Sequence, residues 1–153
     1  MENLPLKYQG YSIVFQEVPN EISLTFNISG CPYKCKGCHS QELWEYKGNI
    51  LINDFDSIIE KYKNYITCVC FMGGNQNLSE LKLILQDIKE RYKLKTCLYT
   101  GCEDINELRD ILDYCDYLKL GSYRELLKID NYISNGVKLA TRNQKFYIKG
   151  QDY

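Results

Sequence analysis

The sequence has a single histidine and a single tryptophan, and its three prolines all fall within the first 32 residues. With so little histidine, neither a Ser-His-Asp arrangement nor a paired-carboxylate signature stands out, so side-chain acid–base catalysis has few groups to use. Neither charge is in excess. Nineteen basic residues face 20 acidic ones, which removes the electrostatic argument for nucleic acid or a membrane surface as partner. No apolar run reaches about 18 residues, and no basic segment precedes a shorter apolar one, so neither a membrane span nor a secretory signal is expected. A cytoplasmic location follows. No repeat, low-complexity tract or Pro/Gly/Ser-rich linker divides the chain, and residues 1–153 are expected to form one domain large enough to bury a core.

Cysteine, by contrast, is plentiful, with eight residues. Three of them crowd into Cys31-Pro32-Tyr33-Lys34-Cys35-Lys36-Gly37-Cys38-His39, in the spacing Cys-x3-Cys-x2-Cys. In a reducing compartment such a cluster reads as a ligand set rather than a disulfide framework. An iron–sulfur cube normally takes four thiolates, so three close cysteines without an obvious fourth leave one iron open to a substrate or cofactor. The competing reading is structural zinc, with His39 completing a Cys3His set; a histidine directly after Cys38 strains one tetrahedron. Cys68, Cys70, Cys97, Cys102 and Cys115 are spread widely and read as small buried hydrophobes, with Cys102 on the ligand side after Gly101. The fourteen tyrosines read as core edges and partner contacts.

Periodicity supplies the scaffold. Leu24, Phe26 and Ile28 alternate with Thr25, Asn27 and Ser29, a strand running into the cysteine loop. Phe55, Ile58, Ile59 and Tyr62 predict a helix with Asn53 or Asp54 as N-cap. Residues 67–72 predict a buried strand ended by Gly73-Gly74, and Leu81, Ile84, Leu85 and Ile88 a second helix, capped by Asn77 with Glu80. Residues 96–100 predict a strand before Gly101. Ile105, Leu108, Ile111 and Leu112 predict a third helix behind Asp104, and residues 117–120 a strand before Gly121. Beyond it, residues 124–133 read as a short helix or irregular wrap, and residues 144–149 as an edge strand. The expected fold is α/β, an open partial (β/α) barrel with a mostly parallel sheet and its ligand loops at the strand C-terminal ends.

The cysteine loop after a first strand and the Gly-Gly turn after a second, within a βα repeat, resemble the radical S-adenosylmethionine enzymes. More narrowly, Ser29-Gly30-Cys31-Pro32 through Cys38-His39-Ser40 resembles the small activating proteins of anaerobic ribonucleoside-triphosphate reductase. So do Phe71-Met72-Gly73-Gly74, Leu98-Tyr99-Thr100-Gly101, Asp116-Tyr117-Leu118-Lys119 and Thr141-Arg142-Asn143-Gln144. The resemblance implies that Cys31, Cys35 and Cys38 hold three irons of a 4Fe-4S cluster, with S-adenosylmethionine on the fourth. It further implies that Gly37, Cys38 and His39 meet the adenine, and that Gly73, Gly74 and Asn75 meet the methionine end. Lys119 then faces the cofactor's carboxylate. Many members carry Glu where this chain has Asn75, which keeps an acceptor oxygen and loses its charge.

The implied reaction is reductive cleavage of S-adenosylmethionine to a radical that takes hydrogen from a glycine of the reductase. The implied electron donor is a flavodoxin or ferredoxin. The alternatives within the superfamily are a formate-lyase-type activase or a deazapurine synthase, and outside it a zinc-binding adaptor. The segment after Gly121 is the expected docking surface.

Overall fold

A computed structural model describes residues 4–33 and 43–153 of the chain. Its central feature is a seven-stranded sheet in the order β3-β1-β2-β4-β5-β6-β9, with a separate β7-β8 hairpin. Strands β2 (Ser23–Ile28), β4 (Cys68–Met72), β5 (Lys95–Tyr99) and β6 (Tyr117–Leu120) run parallel. Antiparallel strands flank them: β1 (Lys7–Val14) and β3 (Asn49–Ile50) on one side, β9 (Lys145–Ile148) on the other. Among the described residues this is a mixed α/β sheet with no closed barrel, and β9 is the expected edge strand. Among the described residues no helix is long and apolar enough to cross a membrane.

The parallel strands are buried on both faces. One face carries Leu24, Phe26, Phe71, Leu98 and Leu118 against helices α1 (Leu51–Tyr62) and α2 (Leu78–Asp87). Phe26 stacks on Phe71 with ring centroids 5.6 Å apart, and Tyr8 meets Phe26 edge-on. Burying one such side chain fully contributes about 1.5–3 kcal/mol. The opposite face is made of small residues: Thr25, Cys70 and Cys97 stand side by side in register on three strands, with Tyr117 beyond. Val18, Val137, Leu139 and Phe146 close over the cysteines. Alternation along β2 therefore separates two cores rather than core from solvent.

The capping of α2 is as predicted, with the Asn77 side chain accepting from the Glu80 N–H at 3.2 Å. Glu80 gives one carboxylate oxygen to the Leu6 N–H at 3.1 Å and the other to the Asn77 side-chain amide at 3.4 Å. Helix α1 departs from expectation. It begins at Leu51, before Asn53 and Asp54, because β3 pairs with β1 and delivers the Leu51 N–H to the Leu6 carbonyl at 2.9 Å. Asp54 instead accepts a hydrogen bond from the Tyr8 hydroxyl at 2.8 Å.

The expected third helix is two short 3-10 turns, Ile105–Leu108 and Leu112–Tyr114. Ile105, Leu108 and Ile111 are three residues apart, which is the 3-10 repeat rather than the α repeat. After Gly121, a 3-10 turn at Glu125–Leu127 leads into β7 (Lys128–Ser134), which pairs with β8 (Val137–Thr141). The connecting Asn135-Gly136 has φ of 47° and 84°, the left-handed pair that a tight hairpin demands.

Candidate metal centre

Each parallel strand ends on the same side of the sheet, and the loops that follow build one cleft of about 180 Å3. Cys31 and Tyr33 follow β2, Gly73 and Asn75 follow β4, Thr100 and Gly101 follow β5, and Lys119 stands on β6. The structure thus brings together Cys31, Gly73, Asn75 and Lys119 from distant parts of the sequence. Gly74 lies outside the lining. At φ +122° it turns the chain toward α2, where a Cβ would meet Leu81 at 3.5 Å. Cys35, Gly37, Cys38 and His39 lie outside the described residues.

The cysteine segment leaves and rejoins the fold at a clasp. The Cys31 N–H donates to the Leu43 carbonyl at 3.0 Å. Further out, Ser29 Oγ donates to the Lys47 carbonyl at 2.5 Å and accepts from the Lys47 N–H at 3.1 Å. Cys31 is partly exposed on the cleft wall, as a metal-ligating thiol has to be.

The other cysteines are placed differently. Cys68, Cys70, Cys97, Cys102 and Cys115 are all buried, in line with their reading as small hydrophobes. Burial pushes the Cys102 thiol up to about 11 and the Cys115 thiol up to about 12, so both stay protonated. Cys102 donates to Glu107 Oε2 at 3.0 Å, pointing away from the cleft. Among the described residues no other group of histidine, cysteine or carboxylate side chains is gathered to hold a metal.

The polar wall of the cleft is a chain of contacts. The Asn75 Nδ2 donates to the Tyr33 hydroxyl at 2.8 Å, Thr100 Oγ1 donates to Asn75 Oδ1 at 2.9 Å, and the Cys102 N–H donates to Thr100 Oγ1 at 3.1 Å. Gly101 is glycine for a steric reason: a Cβ there would lie 2.7 Å from the Tyr33 ring. Lys119 Nζ donates to the Gly121 carbonyl at 2.7 Å, and Gln144 Nε2 reaches the same carbonyl at 3.3 Å. Among the described lining residues Lys119 is the one lysine, arginine or carboxylate side chain.

Tyr33, Thr100 and Gly101 are the residues that the cysteine spacing alone does not single out. Thr100 and Gly101 appear in the sequence only within the Tyr-Thr-Gly stretch, and Tyr33 only as a spacer between Cys31 and Cys35. The available signal was an aromatic ring inside the cysteine loop and a glycine at a strand end.

A mixed α/β sheet that carries a cysteine-rich loop at its strand ends has the build of an iron–sulfur protein. Residues 22–144 match the family model described as 4Fe-4S single cluster domain, a span running from the start of β2 to the turn before β9. The chain belongs to that family, and its cofactor class is a 4Fe-4S cluster. No curated protein and no solved structure matches the chain.

Proposed function

We propose that the chain is a radical S-adenosylmethionine enzyme that installs a glycyl radical on anaerobic ribonucleoside-triphosphate reductase. The observation that carries this reading is the convergence of Cys31, Gly73, Asn75 and Lys119, from the ends of two strands and the face of a third, on one cleft. In an open parallel sheet, ligands bind at these strand ends. The sheet is read as the open partial barrel of that superfamily.

The residues take distinct roles. Cys31, Cys35 and Cys38 hold three irons, which leaves the fourth for the amino and carboxylate groups of S-adenosylmethionine. When bound, cluster and S-adenosylmethionine together supply the reductive cleavage and the radical that removes hydrogen from a glycine of the reductase. Gly73, at φ +101°, lines the cleft in a conformation that side chains rarely adopt, and its backbone meets the methionine end. Lys119 places a cation on the wall, and the backbone from Gly37 to His39 meets the adenine. The electron comes from a flavodoxin or ferredoxin, and the reductase docks on the segment after Gly121.

Anaerobic reconstitution tests the proposal. The expected result is about four irons per chain, cleavage of S-adenosylmethionine on reduction, and a glycyl electron-spin signal on the reductase. The Cys31→Ala, Cys35→Ala and Cys38→Ala variants each lose cleavage, whereas Cys115→Ala, whose sulfur is buried away from the cleft, retains it. One zinc per chain with no cleavage overturns the enzyme reading. Cleavage without a radical on this reductase overturns only the choice of partner.

A further inference from the structure

The cleft wall has a polarity that the Asn75 position alone does not reveal. Where a glutamate would offer a ligand's ammonium an anion, the described lining of this cleft has no carboxylate. Its Asn75 side chain is already engaged at both ends: the oxygen accepts from Thr100 and the nitrogen donates to Tyr33. Thr100 is engaged in turn, since it accepts from the Cys102 N–H while giving its single proton to Asn75. The Tyr33 hydroxyl therefore acts as acceptor toward Asn75 and keeps its own proton. That proton can go back toward Thr100 or out into the cleft, and an anionic acceptor in the cleft is the stronger partner.

We infer that Tyr33 is a specificity residue, its hydroxyl donating to the carboxylate of the amino-acid end of the ligand, with Lys119 supplying the cation for the same group. The inference rests on the reading of the site as one for S-adenosylmethionine. Three features hold the phenol in place for this task. Asn75 fixes the oxygen, Gly101 leaves room for the ring to lie against the β5 end, and the Cys31–Leu43 clasp ties the segment at its root. Thr100 also donates its backbone N–H to the Lys119 carbonyl at 2.9 Å, so the hydroxyl relay and the lysine are braced by the same residue. Asn75 is then a positioning residue, orienting Tyr33, rather than the group that meets the ammonium.

The test compares two ligands on the cluster-loaded protein by titration calorimetry: S-adenosylmethionine and its decarboxylated analogue, which lacks only the carboxylate. Tyr33→Phe keeps the ring and removes the donor. The expected result is binding of S-adenosylmethionine weakened about tenfold or more, the ratio that follows from losing one hydrogen bond to a charged group, with the analogue unaffected. Asn75→Asp gives the same pattern, because a carboxylate there accepts the Tyr33 proton and withdraws it from the cleft. Iron content is read on every variant; Asn75→Asp lies outside the cysteine loop and carries the comparison should Tyr33→Phe load poorly. Equal weakening of both ligands, or of neither, overturns the role of Tyr33. A cluster-loaded wild-type chain that binds neither ligand overturns the S-adenosylmethionine reading itself.

Discussion

Replacing Gly121 by alanine strikes the hinge between the β6 end and the turn at residues 141–144. Gly121 has φ +110°, a conformation that side chains rarely adopt, and a Cβ there would lie 2.8 Å from the Gln144 Cα and 2.9 Å from the Asn143 carbonyl oxygen. The first effect costs about 1–3 kcal/mol of backbone strain. The second is overpacking against main chain, which costs about 1–3 kcal/mol more because no flexible side-chain tip can move aside. That turn is also locked. Gln144 Oε1 accepts from the N–H groups of Ala140 and Thr141, and Asn143 Nδ2 donates to the Ser122 carbonyl.

The sum, about 2–6 kcal/mol, corresponds to roughly 5–20 °C in Tm for a chain of this size. Gly10→Ala separates the two effects, since Gly10 has φ +91° with nothing within 4 Å of its Cβ position. It should lose the strain component alone, about 1–3 kcal/mol. Urea unfolding of the two variants beside the wild type measures both. Equal losses, within about 0.5 kcal/mol, would refute the steric argument.

Asn77→Ala removes the cap of α2 and the 2.9 Å bond from Asn77 Nδ2 to the Leu4 carbonyl. A loss of about 1–2 kcal/mol is expected in urea unfolding, and an unchanged midpoint would show the cap to be idle. Stability should also fall in alkali. Burial pushes the Cys102 thiol up to about 11, and the Cys115 thiol and Tyr117 phenol up to about 12, so the folded chain keeps protons that the unfolded chain releases. These groups stabilise fully below the ordinary thiol range, and their contribution is lost as pH rises through the folded values. The unfolding midpoint should hold near neutrality and drop between pH 9 and 10.5, roughly where unfolded thiols and phenols ionise. A flat profile to that limit would count against it.

The strands that position the site are legible because each announces itself twice. β2, β4, β5 and β6 combine an apolar run with a glycine or the cysteine loop directly after it, and the strand ends gather Cys31, Gly73, Asn75 and Lys119 as their placement in the βα repeat implies. β1 is harder to see, since Tyr8 alone of its eight residues is buried and a register shift between Tyr8 and Tyr11 interrupts the alternation. The β7-β8 hairpin carried a readable signal in Asn135-Gly136, but its first strand is mostly exposed and lacks the apolar alternation that would have flagged it. The polar wall of the cleft was not legible. That Tyr33 meets Asn75 and Gly101 follows only from the parallel pairing of β2, β4 and β5, which sets the three loops side by side.

The clasp between Cys31 and Leu43, backed by Ser29 and Lys47, makes the cysteine segment a cassette. Both of its ends are anchored to one another before any ligand arrives, so changes in its length are felt within it and not by the sheet. Loop-closure entropy grows only slowly with length, about 0.6 kcal/mol for each doubling. Ligand spacing beyond Tyr33 can therefore change while β2, α1 and the Tyr33–Asn75 contact of the cleft wall keep their register. The fold thus separates the choice of metal from the stability of the scaffold.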